Sequence, residues 1–209
     1  MFIGNALREG PPDQLRYATS GIDPRAVEPD QLVDALRPHA RGWKFDAAWW
    51  SMELRGVSAD GTVDLTSGGR ASIVFLSPSR VGSLTKKRRM DALRRYRFGA
   101  RTIQASGRIG VQRRWRNIYL PPKPTCTVVK LVRALAKRGL IGSRRVRITF
   151  DPNLAYGPQA PSELSWLVRG DIGQLEGWFS MTTCRLTKRL LAPPAKRPPP
   201  STADNRNGA

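Results

Sequence analysis

The sequence predicts an α+β fold with antiparallel sheet: two small helix-on-antiparallel-sheet modules joined by a basic segment. Three observations predict it. Two stretches, after Glu28 and after Thr125, carry apolar residues at helical spacing. Each is followed by short runs in which apolar and polar residues alternate, the period of a half-buried strand. Gly- and Pro-containing turns separate those runs.

Residues 1–27 read as an irregular extension, because Gly10-Pro11-Pro12, Gly21 and Pro24 interrupt any helix. A short helix begins after Glu28, with Pro29 suited to its first turn and Leu32, Ala35 and Leu36 on one face. Pro38 is expected to stop it. Trp50, Met52 and Leu54 then alternate with Ser51, Glu53 and Arg55, which puts Trp49 and Trp50 on opposite sides of a strand. Asp60-Gly61 is a hairpin signal, and Val63 and Leu65 begin a second strand. After Gly68-Gly69, Ala71 to Leu76 is a third, closed by Pro78. This completes a first α-β-β-β module over 28–78.

Residues 79–124 form the expected basic connection. Lys86 to Phe98 reads as a helix ended by Gly99, and Arg101 to Leu120 as extended chain. Pro121, Pro122 and Pro124 make a stiff spacer. The clearest helix follows, with Thr125 as N-cap and Val128, Leu131, Val132 and Leu135 at i, i+3, i+4 and i+7. Gly139 stops it. Val146 to Phe150, Leu164 to Val168 and Trp178 to Leu186 supply three strands, so a second module spans 125–191. The tail, 192–209, is rich in Pro and lacks apolar periodicity, so disorder is expected there.

This twice-repeated order of elements resembles tandem PepSY-like or cystatin-like α-β-β-β modules. The resemblance rests on element order and carries over no individual residue. It implies a non-catalytic protein, often of the exported bacterial kind.

Charge is the strongest functional signal. The chain has 209 residues and a net charge of +20. Between Gly82 and Phe150 stand twenty basic side chains and one acid, Asp91; the remaining residues hold sixteen bases and fifteen acids. An arginine-rich composition explains the number of bases but not their separation from the acids. A polyanionic partner explains both, with RNA or DNA first among them. Aromatic residues lie among the charges, as in proteins that contact phosphates and stack bases. The expected contacts are Lys86, Lys87, Arg88, Arg89, Arg94, Arg95, Arg97, Arg113, Arg114, Trp115, Arg116 and Tyr119. Lys130, Arg133 and Lys137 form a weaker stripe that Arg145 and Arg147 extend from the neighbouring strand.

Cys126 and Cys184 are the only cysteines. One opens the second helix and the other falls in the last expected strand, so a disulfide between them is sterically reasonable. In an oxidising compartment they pair; in the cytoplasm they are two buried thiols. Met1 to Arg16 contains Arg8, Glu9 and Asp13 and no long apolar run, so cytoplasm is the default expectation. The alternative to a polyanion binder is an exported or envelope-associated interaction module stapled by that disulfide.

Catalytic and cofactor signals are weak. His39 is the sole histidine and has no recognisable nucleophile motif beside it. Ser83-Leu84-Thr85-Lys86 matches S-x-x-K without its companion elements. No metal-ligand spacing and no phosphate-cradling glycine motif is present. The expectation is therefore a non-enzyme without metal or cofactor, and without a membrane-spanning helix.

Overall fold

Both amphipathic helices pack on the same face of a single antiparallel sheet. The computed structural model describes residues 18–81, 92–99, 102–109, 120–141, 145–152, 163–170 and 176–189. In chain order the elements are α1 (Pro29–Trp43), β1 (Ala48–Val57), β2 (Arg70–Leu76), a short α2 (Pro78–Val81), β3 (Leu93–Phe98), β4 (Ile103–Ile109), α3 (Val128–Lys137), β5 (Val146–Phe150), β6 (Ser165–Gly170), β7 (Glu176–Ser180) and β8 (Leu186–Arg189).

The eight strands run in the order β4-β3-β2-β1-β5-β6-β7-β8. This corrects the expected fold class: there is one continuous sheet, not two modules joined by a connection. The stretch expected to link them instead supplies β3 and β4. The reason is the edge of β1. A helix over three strands leaves the first strand with an unpaired row of backbone N–H and C=O groups. Here β1 and β5 satisfy each other, with Met52 opposite Phe150, Glu53 opposite Thr149 and Leu54 opposite Ile148.

The core lies between the sheet and the two helices. Leu32, Val33, Leu36 and Ala40 of α1 and Val128, Leu131, Val132 and Leu135 of α3 share it with Ile73, Phe75, Tyr96, Ile148 and Val168. Fully burying one such side chain contributes about 1.5–3 kcal/mol. Trp49, Phe150 and Trp166 cluster within it, with ring centroids 5.4, 6.0 and 6.3 Å apart and Phe150 edge-on to Trp166.

Several local expectations are overturned by this packing. α1 runs through Pro38 to Trp43. An interior proline costs about 3 kcal/mol, but the last turn buries Ala40 completely and closes on it through the Lys44 N–H. Val63 and Leu65 form no strand; Val63 makes only isolated bridges to Val27 and Val57. Gly61, at φ +92°, brings that turn against α3, where an added Cβ would lie 2.6 Å from Val129 Cα. Leu93–Phe98 is strand, not helix. The helix N-cap is Thr127, whose hydroxyl accepts from the Lys130 N–H. The expected last strand is two, split by the turn that carries Cys184.

Trp50 also moves. The β1–β2 register shifts between Trp49 and Ser51. That bulge restarts the alternation, so Trp49 joins Met52 and Leu54 under the helices. Trp50 packs with Val74, Leu76 and Leu93 in a separate cluster.

Cys126 and Cys184 form a disulfide, with their Cα atoms 5.3 Å apart. It ties the start of α3 to the β7–β8 turn. The Cys126 N–H donates to Met181 O at 2.8 Å, and the Thr125 hydroxyl donates to Thr182 O at 2.8 Å.

Candidate functional site

Strand alternation sends every second side chain of the sheet away from α1 and α3. On that opposite face the middle strands carry mostly polar residues, and toward β3 Val81 of α2 packs on Trp50, Val74, Leu76 and Leu93. β2 contributes Arg70 and Ser72, β1 contributes Ser51, Glu53 and Arg55, and β3 contributes Arg95 and Arg97. From β5 come Arg147 and Thr149, and from β6 comes Arg169. Ser51, Glu53, Arg55, Arg70, Ser72, Arg95, Arg97 and Asp151 line a groove of about 370 Å³.

Register fixes their neighbours. Arg97 stands opposite Ser72, and Ser72 stands opposite Glu53. Arg55 stands opposite Arg70, and Arg147 opposite Arg169. A row of arginines therefore crosses four adjacent strands, β2-β1-β5-β6, a width of about 14 Å at the usual strand spacing. Like charges directly opposite one another across strands are destabilising.

Glu53 partly neutralises the row. Its Oε1 accepts from Arg55 Nε at 2.9 Å and from a terminal nitrogen of Arg147 at 2.7 Å. Partial burial alone would raise its pKa. The hydrogen bond from Arg55 and the charge of Arg147 outweigh that and hold the carboxyl below its usual range. Glu176 pairs with Arg169. Among the described residues no ion pair engages Arg70, Arg95 or Arg97. Burial, and then the adjacent Arg97 charge, push the Arg95 guanidinium below its ordinary value.

Of the twelve expected contact residues, three fall in the described structure. Arg95 and Arg97 point to the face opposite α1 and α3, with Val74 and Ser72 as their cross-strand partners. Arg94 does not: it lies on the helix side, its guanidinium 5.8 Å from the ring centres of both Trp43 and Tyr96. Adjacent positions of a strand point to opposite faces, so Arg94 cannot share one with Arg95. Lys86, Lys87, Arg88, Arg89, Arg113, Arg114, Trp115, Arg116 and Tyr119 lie outside the described residues, as do the tail 192–209 and the Ser83–Lys86 motif. The proposed stripe from α3 to β5 is also divided. Lys130, Arg133 and Lys137 are on a helix over one face of the sheet, and Arg147 is on the other.

Arg55, Arg70 and Arg169 belong to the groove and its row but sit outside the basic run. Sequence gave one usable signal for Arg55 and Arg70, their place on the polar side of alternating stretches. Which strands would adjoin was not readable from it.

Among the described residues no three His, Cys, Asp or Glu side chains converge on a metal-sized site. Among the same residues no helix is long and apolar enough to cross a membrane. No protein family, no curated protein and no solved structure matches the chain.

Proposed function

We propose that this protein is a non-enzymatic binder of a polyanion, with the backbone of RNA or DNA as its favoured partner, and that the sheet face opposite α1 and α3 is the docking surface. One observation carries the reading: Arg55 against Arg70 and Arg147 against Arg169, opposed in register across the middle of the sheet. Such pairs cost stability in the free protein. Phosphates laid over the row remove the repulsion and release counterions. Among the described residues six arginines, Arg55, Arg70, Arg95, Arg97, Arg147 and Arg169, share the face with three carboxylates, Glu53, Asp151 and Glu176, so these groups leave it positive after their ion pairs form. Trp50 and Trp178, its two tryptophans among the described residues, are each 6% exposed. This favours recognition of backbone charge over base stacking. The test is a filter-binding titration against nucleic acid at several salt concentrations. If about five phosphates are engaged, the log–log salt slope is about −4.5 on a duplex and about −3.5 on a single strand. Affinity that ignores salt, or none at all, defeats the reading.

A second reading rests on the Cys126–Cys184 disulfide. Disulfides persist in oxidising compartments, so the alternative is an exported or envelope-associated interaction module. Non-reducing mass spectrometry on protein taken from its native compartment decides it. A bridged pair supports export, and two free thiols oppose it.

A further inference from the structure

The charges in the groove are not evenly spread. Taken strand by strand, β3 supplies Arg95 and Arg97, β2 supplies Ser72 and Arg70, and β1 supplies Ser51, Glu53 and Arg55, with Thr149 of β5 opposite Glu53 and Asp151 beyond it. The carboxylates gather toward β1 and β5. Among the described residues, the quarter marked by Arg97, Ser72, Arg70 and Arg55 holds three guanidiniums and one hydroxyl, and the one carboxylate at its border, Glu53 opposite Ser72, is engaged by Arg55 and Arg147.

Its spacing is compact. Arg97 and Ser72 are cross-strand partners, as are Arg70 and Arg55. Such partners lie about 5 Å apart, and Ser72 is two residues from Arg70, about 6.7 Å along the strand. Long arginine side chains from three corners therefore reach one point above Ser72. Arg55 has its Nε committed to Glu53, which leaves its terminal nitrogens. Arg70 and Arg97 have no acid partner among the described residues. All four groups donate hydrogen bonds, and a tetrahedral oxyanion offers only acceptors.

The groove, at about 370 Å³, is at the small end of ligand sites. It has room for a unit of nucleotide size and none for a duplex, which would rest across the rim.

We infer that Arg97, Ser72, Arg70 and Arg55 form a discrete subsite for one phosphate group of a single nucleic-acid strand, an anchor within the broader positive face. This rests on the polyanion reading above but goes further, because a diffuse field would have no preferred corner. Ser72 donates to one phosphate oxygen, Arg70 and Arg97 grip the others, and Arg55, held by Glu53, closes the side nearest β1.

The test uses the full chain, a fluorescent single-stranded thymidylate oligonucleotide, the duplex of the same length, and inorganic phosphate as competitor. Arg70→Ala and Arg97→Ala are compared with Arg133→Ala on the solvent face of α3. The expected result has four parts. Each groove variant loses about tenfold in affinity for the single strand and about one unit of salt slope. Arg97→Lys restores part of the loss. Inorganic phosphate competes in the wild type but not in Arg70→Ala. The single strand binds more tightly than the duplex. Thermal melts of each variant establish that the losses come from folded protein. If the groove variants lose no more than Arg133→Ala while the wild type binds in a salt-sensitive way, the subsite is wrong and the polyanion reading stands. Tighter binding of duplex than of single strand also overturns the subsite. If the wild type binds neither oligonucleotide, both fall.

Discussion

Trp166 donates its indole N–H to the backbone carbonyl of Cys126 at 2.8 Å, from the core to the residue just before the N-cap of α3. Trp166 is fully buried and Cys126 nearly so. Replacing it with Phe keeps a ring in the core but leaves a buried carbonyl unpaired. The expected cost is about 2 kcal/mol, read as a lower urea midpoint at unchanged slope.

The disulfide beside that carbonyl closes a loop of 58 residues. In the chain-entropy model such a link contributes about 4 kcal/mol. Reduction, or replacement of both cysteines by Ala, is expected to lower stability by roughly that amount in urea unfolding. Because Trp166 contacts Cys126, the loss in a combined variant will fall short of the sum of the separate losses. Strict additivity would mean that the hydrogen bond and the bridge act independently.

Arg70 is predicted to oppose stability while serving binding. Arg70→Thr removes one of two like charges that face each other across β1 and β2 and puts a β-branched residue in the strand. Stability is expected to rise by about 0.5 kcal/mol as affinity for nucleic acid falls. A calorimetric melt and a binding titration on the same sample check both signs. A variant that melts lower would show that Arg70 holds the fold together.

Acid should destabilise the protein through its turn carboxylates. Asp64 is held at about 2, first by the Thr66 hydroxyl and then by Ser67. At Asp46 burial pushes upward, but the Ser77 hydroxyl at 2.6 Å and the Ser79 N–H at 2.8 Å win, and the pKa falls. Asp60 is lowered first by the Thr62 N–H. A carboxylate depressed on folding contributes stability above its unfolded pKa and loses it as pH drops through the folded value. The loss is therefore expected between the ordinary aspartate value of 3.8 and about 2. Asp30 runs the other way, because burial and then Asp34 raise it; its protonation favours the fold. Urea midpoints measured from neutral pH downward should decline through that window, and less steeply in Asp46→Asn.

The parts of this fold that were legible in the sequence are the parts set by neighbours in the chain. Val128, Leu131, Val132 and Leu135 announced α3, and Val146, Ile148 and Phe150 announced β5. The disulfide partners were also nameable, since only two cysteines exist. What escaped was decided across the chain. The pairing of β1 with β5 joins residues nearly a hundred positions apart, and nothing local to Met52 names Phe150. A single bulge at Trp50 was enough to reverse the facing of two tryptophans. Over Leu93–Phe98 the expected helix gives way to strand, because Tyr96 and Phe98, two positions apart, both line the sheet's core face. The basic run was visible as charge, but alternation sends Arg94 and Arg95 to opposite sides. The groove drew Arg55 and Arg70 from a stretch that is nearly neutral overall.

The meeting of β1 and β5 in the middle of the sheet has a consequence during synthesis. Residues 48–57 leave the ribosome well before 146–150, a gap of about 90 residues, or on the order of 10 s of translation. Throughout that interval the nascent first half carries an open strand flank that its own later sequence must fill. Another unfinished chain on the same messenger offers the same flank, so early pairing between neighbours would yield intertwined products. A slow ribosome between Val57 and Val146 should therefore lower the yield of monomer.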